Sequence, residues 1–383
     1  MNDVVIPVSD LQRRTIRRSD WVAENAAFID CRTPGSDRKS NYAFIGPGVS
    51  QNAKQFINLS EPHGYNVGAA GMPNGVNNNL HLHFTAEVFV NFGGTFRIRW
   101  GVDGRQGEYV SHDGDVISVP TWIFRGFTNE GPDDGLLLTL LGHDVTGGII
   151  WGPSVLAEAE SYGLHLTADN RLIDTVAGDE LPSGVTLVKP MKQEHIDELT
   201  TYTVEEMRQR VTQPGDRRYS SRSLLCNGLP GGGGELALVI GYGMSEDRRA
   251  IPRLHEPHSF NLASLRATPG EGVLRHRHHE TQTLTVKSGR WRVTLNSGED
   301  EEFVVLEPQD MLSVLPGCWR RVELLDAGGE ETGELLIVNA GDARVRLEWA
   351  TEVVQAAFDA GWLLDPNDYL APVAVMVTAT EDD

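Results

Sequence analysis

The sequence predicts an all-β protein made of two copies of one domain. Three observations carry this. The first is an internal duplication. Residues Gly75 to Gly94 contain His81-Leu-His83 with Glu87 four positions on, and Gly270 to Gly289 contain His276-Arg-His278 with Gln282 four positions on. One offset of 195 relates 81 to 276, 83 to 278, 87 to 282 and 94 to 289, and a repeat at fixed spacing outranks a local motif as evidence of architecture. The second is texture: both halves consist of short β-branched or alternating segments separated by Gly, Asn and Asp turns. The third is length, since 383 residues exceed what one hydrophobic core usually serves.

The elements follow in order. Residues 1–40 are polar and charged and read as an N-terminal arm with a short helix around Leu11–Asn25. Residues 41–150 form the first β domain, with strands at Thr95–Trp100, Val116–Pro120 and Leu136–Leu141; Asp103-Gly104 and Asp113-Gly114 are turn dipeptides. Residues 151–215 form a helical connector. Pro153–Tyr162 has proline in its first turn and Gly163 after its end, and Gln193–Gln213 contains Thr203-x-x-Glu206, the pattern of a capping box that splits it into two helices. Residues 216–350 repeat the β domain, with strands at Phe260–Leu265, Arg290–Leu295 and Glu334–Asn339. Residues 351–383 form a closing helix, Thr351–Trp362, and an acidic tail from Thr378.

A second repeated element strengthens the duplication. Gly114-Asp-Val-Ile-Ser-Val-Pro120-Thr-Trp-Ile-Phe-Arg125 aligns with Asp310-Met-Leu-Ser-Val-Leu-Pro316-Gly-Cys-Trp-Arg-Arg321 at an offset of 196, which pairs Arg125 with Arg321.

Composition narrows the function. A formal charge of −21, from 33 Lys and Arg against 54 Asp and Glu, argues against nucleic-acid binding and against docking on an anionic membrane. Runs such as Gly135–Leu141 are too short to span a bilayer. Cys31, Cys226 and Cys318 are odd in number and scattered, which is no disulfide framework. With no basic, apolar leader at the N-terminus, a cytoplasmic location is expected.

On a strand, alternate side chains share a face, so His81 and His83 point the same way, and Glu87 keeps that parity unless a turn intervenes. Two imidazoles and one carboxylate with open positions suit non-haem Fe(II) and oxygen; Mn(II), Zn(II) or Ni(II) fill the same ligands. The alternative is two structural histidines with Glu87 hydrogen-bonded to a neighbour. His276, His278 and Gln282 form a second candidate set, poorer because an amide oxygen replaces the carboxylate, with Arg321 adding charge beside it. A degenerate, purely structural second domain stands against that reading.

These residues resemble the cupin superfamily. Its first motif, Gly-x5-His-x-His-x3-4-Glu-x6-Gly, fits residues 75 to 94 without a mismatch. In its second motif Gly114, Pro120 and Asn129 fit, while Trp122 replaces a glycine and Arg125 replaces the third histidine. The layout is similar to that of gentisate 1,2-dioxygenase-like bicupins. That resemblance implies two jelly-roll β-barrels, with metal held inside the barrel. The departure matters: that family is expected to use the third histidine rather than the glutamate, and here Glu87 is present and the histidine is not.

Guanidinium has no free lone pair, so Arg125 is no metal ligand. Three roles stay open: a clamp for a substrate carboxylate above the metal, an ion pair with Glu87 that replaces a lost metal, or a solvent-facing side chain. Trp122, Phe124 and Phe127 flank it as candidate walls of an aromatic substrate pocket, or as core aromatics. The expected function is a bicupin Fe(II) dioxygenase, ring-cleaving or related, for a small anionic aromatic acid with O2 as co-substrate, working as a homo-oligomer, a dimer by preference. Two alternatives stand: a non-redox metal-dependent lyase, isomerase or decarboxylase, and a non-catalytic small-molecule-binding bicupin.

Overall fold

The computed structural model describes residues 3–378, so the tail beyond Thr378 lies outside the described residues. The chain divides into two compact units. One is Trp21–Gly215; the other joins Met1–Asp20 to Asp216–Asp383. Each is a pair of β-sheets folded over a core.

In the first unit, one sheet runs in the order Val211–Thr212, Val116–Val119, Glu87–Asn91, Gly135–Gly142, Tyr65–Met72, Ser40–Ile45 and Ile57–Leu59. The facing sheet runs Ile149–Trp151, Asn77–His83, Arg125–Asn129, Phe96–Trp100 and Gly107–Ser111. All pairings are antiparallel except that of Ser40–Ile45 with Ile57–Leu59. The alternation in Phe96-Arg-Ile-Arg-Trp100 is used as written. Phe96, Ile98 and Trp100 enter the core with Phe89, Phe127 and Val119, while Arg97 and Arg99 stay outside on Glu130, Thr128 and Asn77. Gly94, the last glycine of the motif, adopts φ +96, and a Cβ there would meet the Gly135 backbone at 2.6 Å. A side chain is excluded there on both counts.

The second unit repeats this plan without a counterpart of the outer strand Ile57–Leu59, where only an isolated bridge from Ile240 to Leu254 forms. Its larger sheet runs Thr15–Ile16, Met311–Val314, Gln282–Ser288, Gly333–Ala340, Phe260–Ala267 and Glu235–Ile240. The other runs Glu302–Leu306, Arg290–Leu295, Arg320–Asp326, Gly272–Arg277 and Glu348–Trp349. Each barrel is therefore a two-sheet jelly roll in which sheet edges are shielded by closure.

The duplication extends beyond the two barrels. The helix Val8–Arg14, the strand Thr15–Ile16 and the turn Arg18–Asp20 match Val204–Gln209, Val211–Thr212 and Pro214–Asp216. The N-terminal arm is thus an element of the repeat, not an appendage. Residues 3–20 supply the edge strand of the second barrel, beside Met311 and Leu312. The connector's strand supplies the edge of the first, beside Val116 and Ile117. The helices expected in the connector form as Pro153–Ser161, Gln193–Asp197 and Val204–Gln209. Thr203 and Glu206 close the capping box in both directions. The helix expected over Leu11–Asn25 is instead Val8–Arg14, because Thr15 continues into the barrel's edge strand. No helix among the described residues is long and apolar enough to cross a membrane.

Among the described residues, the second unit buries Glu246 with no cation on its oxygens. Glu246 accepts hydrogen bonds from the Trp349 indole at 2.8 Å and from the Leu225 amide at 2.6 Å. Burial pushes its pKa up to about 8, against the pull of those two donors. An acid whose folded pKa is raised loses stability as pH climbs from its unfolded value through the folded one. The thermal midpoint of this unit should therefore fall between about pH 4.5 and pH 8. Glu246→Gln, whatever its own midpoint, should flatten that slope; an unchanged slope in scanning calorimetry would assign it elsewhere.

Candidate metal centre

The His81 strand, Asn77–His83, lies between Arg125–Asn129 and Ile149–Trp151, with His81 opposite both Arg125 and Trp151. Glu87 opens the next strand in the facing sheet, opposite Leu141 and Val119. A short bend over residues 84–86 thus carries the chain from one sheet to the other, and all three side chains turn into the barrel. His81, His83 and Glu87 are buried, and their donor atoms lie within 4.8 Å of one another.

Backbone carbonyls fix both imidazoles. His81 Nδ1 donates to Asn79 O at 2.6 Å, and His83 Nδ1 faces Gly148 O at 3.4 Å. Each Nε2 then presents its lone pair to the barrel interior, the tautomer a metal ligand needs. Burial lowers the pKa of both rings, with His83 and Arg125 adding to the effect at His81, so both are neutral. Burial pushes the Glu87 carboxyl the other way, but Arg125 and the imidazoles reverse this and hold it at about 2. Two neutral imidazoles and a carboxylate are the protonation states a divalent cation requires. The donor set fits such an ion.

Arg125 is fully buried. Nε and Nη2 both donate to Glu87 Oε2, at 3.0 and 2.9 Å, and Nη1 reaches the carbonyls of Ile123 at 3.3 Å and His81 at 3.5 Å. Its donors are spent on the protein, and it does not line the cavity described below. This corrects the expectation that it clamps a substrate carboxylate, and excludes the solvent-facing alternative. The ion pair with Glu87 forms, yet it engages Oε2 alone and leaves the His81 and His83 lone pairs uncovered. Arg125 is a positioning residue for Glu87.

The aromatic walls are also redistributed. Phe124 is buried in the core. Trp122 is 45% exposed and meets Phe84 edge-on at 5.1 Å. Its backbone takes φ +60, where Gly317 takes φ +77 at the matching turn. Each donates its N–H to the carbonyl of a histidine, His83 or His278. Only Phe127 of the three faces the cavity, together with Phe28 and Trp151.

That cavity has about 70 Å3 of room for water-sized molecules and opens to solvent, and His81, His83 and Glu87 line it. Small side chains on the facing strands create it. Asn41, Ala43, Gly68, Ala70 and Thr139 line the first barrel, whereas Leu236, Leu238, Ala263, Leu265 and Ile337 stand at the same register positions in the second. The first barrel is hollow and the second is packed. These small residues were not singled out in the sequence, because hollowness shows only when the two repeats are compared along strands that lie outside the motif. Ala70→Leu, which copies Leu265, should fold normally and abolish ligand binding in the cavity; retained affinity by calorimetry would place the ligand elsewhere.

Behind His81 lies a trio absent from the second barrel. Lys39 Nζ donates to both Asp30 oxygens at 3.0 Å and to Asn78, and Asp30 Oδ2 also accepts from the Asn79 amide. The buried charge pair fixes the backbone that carries the Asn79 carbonyl, and so the His81 ring.

In the second barrel the structure brings together His276, His278 and Gln282 as expected, but with Arg320 and not Arg321. Arg320 is fully buried, while the Arg321 side chain is 40% exposed and lies 3.5 Å from Glu323 on the outer face. The turn after Pro316 is one residue shorter than that after Pro120, so the offset returns to 195 before the arginine. Aligning on the prolines misplaced it by one residue, which on a strand means the opposite face.

No family model matches this chain, and no curated protein matches it in sequence. Solved structures do match. The oxalate decarboxylase of Lactobacillus farciminis in its formate complex aligns with a TM-score of 0.52 at 12% identity, over 90% of each chain. The oxalate decarboxylase of Bacillus subtilis at pH 4.6 aligns with a TM-score of 0.51 at 12% identity, over 94% of this chain and 84% of that one. A further Bacillus subtilis oxalate decarboxylase structure, described by its Mn(II) centres, aligns with a TM-score of 0.50 at 12% identity, over 94% of this chain and 85% of that one. The chain has the bicupin fold, two barrels of the cupin type, with the His81, His83 and Glu87 donor atoms gathered inside the first. These neighbours support that architecture and give no specific support to the gentisate dioxygenase layout.

Proposed function

We propose that the protein is a metal-dependent, non-redox enzyme of the decarboxylase type, acting on a small aliphatic carboxylate inside the first barrel. One observation carries this reading: His81, His83 and Glu87 converge on a solvent-open cavity in the protonation states that a divalent ion needs. The oxalate decarboxylase neighbours favour manganese over iron and decarboxylation over ring cleavage.

Charge supports an anion as the ligand. Glu87 balances Arg125, so the two charges of the metal would stand uncompensated in a buried site, and one or two carboxylates would offset them. A divalent ion held by His81, His83 and Glu87 would polarise and orient that carboxylate as a Lewis acid. The protein's own part is positional. Asn79 and Gly148 carbonyls hold the imidazoles, Arg125 holds Glu87, and Asn41, Asn66 and Thr139 line the space opposite. Beyond the three ligands, Tyr42 is the one titratable side chain among the described residues lining the cavity. The proton that replaces departing carbon dioxide would then come from solvent.

The test is carbon dioxide release and oxygen uptake by manganese-loaded protein with a panel of short mono- and dicarboxylates. Release of carbon dioxide without net oxygen consumption is expected. Stoichiometric oxygen uptake on iron loading would restore the dioxygenase reading, and silence across the panel with metal bound would favour a binding protein.

A further inference from the structure

We infer that the second barrel is a metal site plugged by its own arginine: the Arg320 guanidinium stands among the donor atoms a metal ion would gather. Arg320 Nη1 donates to His278 Nε2 at 2.9 Å and to Gln282 Oε1 at 3.2 Å. These are two of the three atoms that correspond to the first-barrel ligands. Nη2 and Nε anchor the group on the Leu315 and Cys318 carbonyls, between 3.0 and 3.2 Å. The rest of the barrel is tuned to a cation of this kind. Gln282 is neutral where Glu87 is charged, and its Nε2 donates to Asn339 Oδ1 at 2.8 Å, which holds Oε1 towards Arg320. Asn339 in turn donates to Asn261.

A second observation marks the site as a former ligand set. His276 Nδ1 donates to the Leu274 carbonyl at 2.7 Å, just as His81 Nδ1 donates to Asn79. Its Nε2 is therefore a bare lone pair, and it is buried with no hydrogen-bond partner. A buried acceptor left unpaired costs stability. The geometry retains the metal-binding tautomer while a guanidinium covers the neighbouring ligand. The two arginines at the third-histidine position thus differ. Arg125 leans on the acid and leaves both imidazoles uncovered; Arg320 caps an imidazole and closes the site.

Crystals of the whole chain soaked in Co(II), with anomalous maps, test this barrel by barrel. In the wild type, no cobalt peak is expected beside His276 and His278. In Arg320→His/Gln282→Glu a peak should appear there, adding one equivalent of cobalt per chain in solution, with the visible absorption of a nitrogen- and oxygen-ligated ion. A cobalt peak in the second barrel of the wild type overturns the inference, and so does a folded double variant that gains no cobalt. If the double variant does not fold, Arg320→His alone, with Gln282 retained, answers the same question. The first-barrel peak is read separately, so its absence would count against the proposed function and not against this inference.

Discussion

Replacing His81 and His83 together by alanine should abolish stoichiometric metal binding and lower kcat/KM on any carboxylate turned over by at least about 10³-fold, roughly 4 kcal/mol of barrier. The size follows from the geometry. Both imidazoles present Nε2 to the cavity, and Glu87 alone offers a single carboxylate already engaged by Arg125. His276 and His278 cannot substitute, because a guanidinium covers His278. The variant should fold, since removing two neutral rings leaves the Glu87–Arg125 pair intact. Metal analysis after dialysis, beside steady-state rates, checks both halves; a variant that kept its metal and rate would move the active site out of the first barrel.

Arg125→Ala should cost the most stability of any substitution at the site, about 3–5 kcal/mol, because it leaves the Glu87 carboxylate buried and unpaired. Glu87 loses both guanidinium bonds, and the Ile123 and His81 carbonyls lose a donor as well. With Arg125 gone, burial should drive the Glu87 pKa up from about 2. The folded protein should then gain stability as pH falls through the new value, whereas the wild type loses its Glu87 contribution progressively as pH falls from about 4.5 to about 2. Added manganese should raise the variant's thermal midpoint more than that of the wild type, since the ion supplies the positive charge that Glu87 has lost. If Arg125 were a substrate clamp, the variant would instead keep its stability and lose affinity for the carboxylate. Parallel thermal melts and ligand titrations separate the two.

Much of the fold was legible because its signals are local or repeated. The 195-residue offset, the alternation at Phe96–Trp100 and the capping box at Thr203 all form as read. His81 and His83 were legible as a same-face pair through strand parity, whereas Glu87 joins them from the facing sheet after a bend. What was not legible depended on distance through space. The sequence offers no clue that Arg125 turns back onto Glu87 rather than towards a substrate; that choice is set by the Ile123 and His81 carbonyls beside it. The role of residues 3–20 was missed because a polar segment shows no sign of the edge strand it completes. Arg320 was misread as Arg321 because a turn lost one residue. The cavity was missed because it is made by what Gly68 and Ala70 lack.

The central claim is that one divalent ion is held by two imidazole nitrogens and one carboxylate in the first barrel. Electron–nuclear double resonance on the manganese-loaded wild-type protein measures this directly. Two nitrogen couplings are predicted at a single Mn(II) per chain, falling to one coupling in either His81→Ala or His83→Ala. A spectrum of hydrated manganese with no nitrogen coupling, at concentrations where the ion is bound, would contradict the account.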